Sequence, residues 1–354
     1  MKDKIIVFSF MIYIILFSLL HIIINDNEIS FEERRNLSTF PKFEFTSKFI
    51  TNLEDYFLDQ FPFRNRFRSV KANFNYNILL KLDNNNIYLK DNYIFKSIYP
   101  TNKKSIDNFK KNVIKIKNMF PESNNFYLMI IPDKNYYLED KNFLKIDYEY
   151  IFNSLKELNI QTINIKDILS LSDYYETDTH WKQENLDKVI KKMSTVLNFN
   201  YQMFNYTKVI YNNFYGVYYG ESAINRSPEI ITYLTNNFID NLEVKYLENK
   251  KLNNIYNKEK LTSFDSYEVF LDGASSFIEI KNNMIKNNKE LIIFRDSFAS
   301  SLIPLLTPYY SKITVIDNRY ISSEYFFKNL DYENNDILFI YSTLIMNDSY
   351  SLKG

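Results

Sequence analysis

The sequence predicts an α/β protein: a doubly wound, mostly parallel sheet with an inserted irregular, β-containing region, preceded by one transmembrane helix. Three observations carry this. Residues 126–132, 290–294 and 336–341 are near-continuous apolar runs, the pattern of strands buried on both faces of a parallel sheet. Segments with apolar residues every three or four positions alternate with these runs, as helices crossing over such a sheet do. Residues 5–24 carry no formal charge, about the length that crosses a ~30 Å hydrocarbon core as a helix.

The N-terminal run is preceded by Lys2 and Lys4 and followed by Asp26, Glu28, Glu32 and Glu33. This favours a cytoplasmic N-terminus with the body of the chain outside. No small-x-small cleavage pattern ends the run, so an uncleaved signal anchor is expected over 1–25. Residues 26–86 read as a membrane-proximal linker and helix, and 87–354 as the α/β domain.

Within that domain, residues 87–94 predict a hairpin around Lys90 to Asn92. Ile106, Phe109, Val113 and Ile116 predict an amphipathic helix over 104–119, stopped by Pro121. The strand at 126–132 follows, then a helix over 147–158, a strand at 160–165 and a helix over 182–198. Residues 200–285 have weaker, alternating patterns and read as an insertion or a group of antiparallel strands, with strands within 269–280. Regular alternation resumes with a strand from 290, a helix over 298–306, and strands at 312–317 and 336–341.

Composition narrows the chemistry. The chain has 43 basic and 43 acidic residues and no basic stripe, so nucleic acid is not an expected partner. It has no cysteine, which excludes disulfides, a thiolate nucleophile and thiolate metal ligands. Only two histidines occur, and His21 lies inside the apolar run. With one imidazole in the body of the chain and no thiolate, no metal site is expected. No cofactor is expected either. The abundance of Asn, Lys, Ile, Tyr and Phe fits an AT-rich coding sequence, so the aromatic content says little about sugar stacking.

His180 is therefore the one histidine available for proton transfer. It follows Asp178 by two residues and precedes Trp181, the single tryptophan. Ser297 stands where a buried strand turns into a helix, after Arg295 and Asp296. That placement puts a hydroxyl at the carboxyl end of the sheet and its own amide at a helix start, where an oxyanion could be held. His180 could activate Ser297, and Asp178 could orient the ring. A serine there also suits a helix N-cap, and Asp178 also suits an ordinary loop carboxylate. Trp181 either packs the loop or stacks on a sugar. Asp133 and Lys134 follow the strand ending at Pro132, on the same sheet edge.

The pair Asp178-Thr179-His180-Trp181 and Arg295-Asp296-Ser297-Phe298 resembles the DHHW family, which is related to the SGNH-hydrolase-like proteins that O-acetylate alginate and other exopolysaccharides. The resemblance extends through Asp59-Gln60-Phe61-Pro62-Phe63-Arg64, Ile131-Pro132 with Lys134, Phe214-Tyr215-Gly216, and Ile316-Asp317-Asn318-Arg319-Tyr320. Thr179 replaces the second letter of the family's name motif, while Asp178 and His180 match the Asp-x-His of the alginate-type enzymes. The resemblance implies an SGNH-hydrolase-like fold and an extracytoplasmic, membrane-anchored O-acetyltransferase with Asp178, His180 and Ser297 as triad. It implies a polysaccharide acceptor and a polytopic membrane acyltransferase partner that supplies acetyl groups. The Gly and Asn of the usual oxyanion hole have no certain counterparts; Gly216 and Arg319 are candidates, beside Arg295 and Trp181 as substrate contacts. A carbohydrate acetylesterase and a non-catalytic polysaccharide-binding or assembly subunit are the alternatives.

Overall fold

A computed structural model describes residues 2–121, 124–328 and 335–353. The chain divides into two compact units, one of residues 1–85 with 219–226 and one of 86–218 with 227–354.

The first unit starts with α1 (Lys2–Ile23), a 22-residue helix whose most apolar window has a mean hydropathy of 2.6, with none of it buried. By length and composition it can cross a membrane. Helix α2 (Ser47–Asp59) begins at Thr46, whose hydroxyl accepts from the Phe49 amide at 3.2 Å. Helix α3 (Arg64–Asn73) follows after a sharp elbow at Phe63, which sits at φ 59°. The segment Asp59-Gln60-Phe61-Pro62-Phe63-Arg64 is the hub of this unit. Asp59 takes a forked pair of bonds from Arg35 at 2.8 and 2.5 Å and accepts the Ser38 amide at 2.9 Å. Gln60 donates to the carbonyls of Asn27 and Ser38, both at 2.9 Å. Arg64 and Arg68 close on Glu33 at 2.9 and 3.1 Å. The Arg35 fork holds the Asp59 carboxyl well below the ordinary carboxylate range.

The second unit holds a seven-stranded sheet. Its chain begins with a hairpin of β1 (Ile87–Lys90) and β2 (Tyr93–Lys96), paired from Ile87↔Lys96 to Lys90↔Tyr93. Asp91 and Asn92 form its two-residue turn at φ 46° and 69°, the positive values a tight hairpin turn requires. After helix α4 (Lys103–Lys117) come β3 (Asn125–Ile131), helix α5 (Tyr148–Ser154) and β4 (Gln161–Thr162). Helix α6 (Asp187–Leu197) leads to an antiparallel pair, β5 (Thr207–Phe214) with β6 (Glu229–Thr235). The remaining elements are β7 (Glu243–Tyr246), β8 (Phe277–Lys281), β9 (Glu290–Arg295), helix α7 (Ala299–Leu306), β10 (Lys312–Ile316) and β11 (Asp336–Ser342).

Across the sheet the order is β7-β8-β10-β9-β11-β3-β4. The five strands from β10 to β4 run parallel, while β7 and β8 add antiparallel strands at one edge. Alternation along β9 shows the double winding. Leu291 and Ile293 face α6 and α7 through Val189, Met193 and Leu302. Ile292 and Phe294 face α4 and α5 through Phe109, Val113 and Ile151. Side chains of this kind, buried in full, each contribute roughly 1.5–3 kcal/mol.

One expectation needs revision. The strand expected over 160–165 is limited to Gln161–Thr162, which pair with Tyr127 and Leu128 of β3. Residues 243–246 and 277–281, within the stretch expected as an insertion or a group of antiparallel strands, are antiparallel strands that extend the main sheet along the open edge of β10. Within 269–280, where strands are expected, β8 begins at Phe277, after a short 3-10 turn over Ser266–Val269.

Candidate active site

The carboxyl end of β9 is pinned before it presents a serine. The buried Asp296 accepts the Phe298 amide at 3.0 Å and the Ser342 amide at 2.7 Å, and donates its own amide to the Ile340 carbonyl at 3.2 Å. This locks the β9–α7 turn to the end of the neighbouring β11. Half-buried Ser297 sits in that turn. Its amide has no protein acceptor among the described residues, so it is available as an oxyanion donor.

The loop over 174–181 carries the acid and the histidine. Tyr174 and Trp181 bridge its two arms, and the Tyr175 amide donates to the His180 carbonyl at 3.1 Å. Three groups hold the loop's backbone. The Lys134 ammonium, buried with 1% exposure, donates to the carbonyls of Tyr175, Glu176 and Asp178 at 3.1, 3.0 and 2.7 Å. The rings of Tyr93, Phe95 and Tyr218 surround it at 5.0–5.9 Å. Burial pushes Lys134 down to about 7, opposed chiefly by the charge of Asp178. From the other side Glu229 accepts the amides of Glu176 and Thr177, both at 2.7 Å. Gly216 completes the seat. A Cβ there would lie 2.2 Å from the Thr177 carbonyl carbon, so only glycine lets the two backbones meet.

The triad geometry follows. Asp178, fully buried, places Oδ1 2.6 Å from His180 Nδ1 and also accepts the His180 amide at 3.0 Å. Its Oδ2 accepts the Val217 amide at 2.8 Å. With Nδ1 donating to the carboxylate, Nε2 is the acceptor, and it lies 2.9 Å from Ser297 Oγ. Tyr267 stacks on the imidazole at 3.8 Å between centroids and 9° between planes, fixing the ring's tilt. Burial pushes the Tyr267 phenol well above 10, so it stays neutral.

The histidine loop is also fastened to the serine's helix. Trp181 Nε1 donates to the Phe298 carbonyl at 2.8 Å and to Ser301 Oγ at 3.0 Å, and Gln183 Nε2 donates to the Ser301 carbonyl at 2.7 Å. Tyr267 donates its hydroxyl to the same Ser301 Oγ at 2.9 Å.

Asp178, His180 and Ser297 are thus together. The other four sequence candidates are placed elsewhere in the chemistry. Trp181 has 0% exposure, so its ring face cannot stack on a sugar. Arg295 is equally buried, donating to Ser300 Oγ at 2.9 Å and to the carbonyls of Gly273 and Ser275 at 3.1 Å. Arg319 forks onto Asp317 at 2.9 and 2.6 Å, and Asp317 lies 3.6 Å from Arg295 as well. The Gly216 amide donates to Thr177 Oγ1 at 2.9 Å and so is spent inside the loop. Most polar groups of these four residues are taken by protein partners, which makes them structural supports; the buried Arg295 Nε has no partner among the described residues. Sequence reasoning missed Tyr267, Glu229, Gln183 and Val217. Nothing marks Tyr267 among 30 tyrosines, and Val217 acts through its backbone.

No protein-family model matches the chain, and no curated protein matches it. Among solved structures it is similar to a DHHW family protein from Eubacterium siraeum, with a TM-score of 0.64, 18% identity, and coverage of 77% of this chain and 97% of that one. It is similar to PatB1 of Bacillus cereus, with a TM-score of 0.60, 16% identity, and coverage of 74% and 97%. PatB1 with a sulfonyl adduct aligns at a TM-score of 0.60 and 17% identity, over 73% and 95% of the two chains. The chain therefore has the fold of the DHHW family protein and of PatB1, carried almost end to end on their side.

Proposed function

We propose that this chain is a membrane-anchored, extracytoplasmic O-acetyltransferase that modifies a cell-surface or secreted polysaccharide. The observation that carries the reading is the unbroken line from Asp178 through His180 to Ser297, with contacts of 2.6 and 2.9 Å. The fold shared with the DHHW family protein and PatB1, and the sulfonyl adduct recorded for PatB1, support it.

In the first half-reaction Ser297 Oγ attacks the carbonyl carbon of the acetyl donor, and His180 Nε2 takes the hydroxyl proton. Asp178 holds the Nδ1–H and stabilises the imidazolium. The Ser297 amide donates to the developing oxyanion. The intermediate collapses to acetyl-Ser297 as the donor's leaving group takes the proton from Nε2. In the second half-reaction a sugar hydroxyl loses its proton to Nε2 and attacks the acetyl carbonyl. The bond to Oγ breaks, the proton returns to Oγ, and the acetylated sugar leaves. Acetyl-CoA is absent outside the cell, so a polytopic membrane acyltransferase is the proposed acetyl source, with α1 keeping the chain beside it.

The test is a Ser297→Ala strain whose protein still fractionates with membranes. Its polymer acetyl content should fall to background. Unchanged acetyl content overturns the reading, and acetate release without transfer to glycan makes the enzyme an esterase instead. A sulfonyl fluoride should label Ser297 in the wild type and fail to label it in His180→Ala.

A further inference from the structure

We infer that residues 61–82 make a second membrane contact, an elbow lying in the interfacial zone of the bilayer beside α1. The inference rests on the proposed reading of α1 as a membrane span, and it assigns a lipid-facing role to a segment which that reading leaves as a linker.

Composition is the first observation. From Phe61 to Leu82 the chain carries Arg64, Arg66, Arg68, Lys71 and Lys81 and no acidic residue. Cations combined with Phe, Leu and Ile in a short helical segment are the composition of helices that lie at a lipid interface, apolar side in the acyl boundary and basic residues among headgroups.

The structure sorts these residues in that way. Phe63, Phe67, Val70, Phe74 and Ile78 recur every three or four positions through α3 and the π-helical turn Phe74–Ile78, forming one stripe. They are between 44% and 66% exposed. The opposite side is the fastened one. Ala72 is wholly buried, Asn75 bonds Asn84 at 2.7 Å, and Arg68 donates to the Gly220 carbonyl at 2.9 Å while pairing with Glu33. A water-facing helix buries its apolar stripe and exposes its polar side. Here the arrangement is inverted, and a run of exposed large apolar side chains calls for a non-aqueous partner.

Depth identifies that partner as lipid. Phe61 stacks on Phe17 of α1 at 5.2 Å between centroids, and Phe67 packs on the same ring at 5.8 Å. Phe17 lies six residues before the end of α1, about 9 Å along the axis at 1.5 Å per residue. If α1 crosses the bilayer and ends at its outer boundary, the elbow's aromatic rings are held below that boundary, among acyl chains. A groove of about 820 Å³ between α1 and Phe40, Tyr56, Phe57 and Phe61 continues the same apolar surface.

The chain's lack of cysteine makes the test direct. Single-cysteine variants of the full chain, Phe74→Cys and Ile78→Cys, carry an environment-sensitive fluorophore in phosphatidylcholine–phosphatidylglycerol vesicles containing doxyl-labelled lipid. Both positions are half or more exposed, so neither change disturbs packing. Ile12→Cys reports α1, and Lys141→Cys reports water. The expected result is blue-shifted emission and doxyl quenching at positions 12, 74 and 78, with quenching at 74 and 78 rising with phosphatidylglycerol content, and neither effect at 141. Quenching at 12 with water-like emission at 74 and 78 overturns the inference while leaving the anchor in place, and the stripe then faces a protein. Water-like emission at 12 removes the anchor reading, and this inference with it.

Discussion

At the residue scale the catalytic proposal depends on which nitrogen of His180 carries the proton. Asp178 accepts from Nδ1, so Nε2 is left as the base facing Ser297. Asp178→Asn presents an amide that can turn its N–H toward Nδ1 and reverse the tautomer. Acetyl transfer should fall roughly a thousandfold or more, with the fold intact, as measured by initial rates and circular dichroism. Lys134 gives a pH signature. Its pKa is near 7 when folded against 10.5 ordinarily, so between these values the unfolded chain binds more protons there than the folded one. The lysine's contribution to stability therefore rises with pH through that window and is a cost below it. Urea midpoints of wild type and Lys134→Met, compared at about pH 6 and about pH 9, should show the difference attributable to this site. Gly216→Ala drives a methyl into the Thr177–Asp178 backbone and should cost about 1–3 kcal/mol with a loss of activity. His180 was legible because histidine is rare in this chain and an acid stands two residues before it. Ser297 was legible because a buried run breaks into a helix there. Tyr267 on the ring and Glu229 on the loop backbone were not, since both arrive only through tertiary packing that no local pattern encodes.

At the scale of elements, the site is a loop clamped to a helix. Trp181 and Gln183 reach across to the first turn of α7 and occupy Phe298 and Ser301. Trp181→Phe keeps a ring but removes both indole bonds and leaves a buried carbonyl short of a donor. It should destabilise by about 1–3 kcal/mol, read as a lower thermal midpoint, and slow the reaction by loosening the spacing between His180 and Ser297. The hairpin, the α4 helix and the strands of the parallel sheet could be read from period and turn chemistry, because each buries its apolar residues in the way its own sequence dictates. The position of β7 and β8 in the sheet could not. Their alternating pattern fits any half-buried antiparallel strand, and only the vacant edge of β10 decides where they pair. Arg295 and Arg319 were misjudged for a related reason. A basic residue beside a candidate nucleophile suggests a substrate contact, yet Asp317 between the two arginines turns both inward.

At the scale of the whole molecule, the sheet is wound on both faces and α1 stands apart in composition from everything that follows it. If α1 is an anchor with the body outside, the full chain should resist extraction from membranes by alkaline carbonate. Protease added to intact protoplasts should degrade the body. Release by carbonate, or protection from protease in intact cells, would contradict that topology.

The order of strands in the sheet has a temporal consequence. Strand β3 pairs along its length with β11, which lies at the far end of the chain, and β9 pairs with the same strand. While the chain is being made, β3 has only the two-residue β4 beside it, and its other edge stays open until β11 follows. His180 likewise waits for a serine 117 residues later. Assembly of the centre is therefore a late, non-local event, slow in the manner of high-contact-order folds and exposed to edge-to-edge association meanwhile. On the proposed function, acyl transfer waits until β11 has docked between β9 and β3.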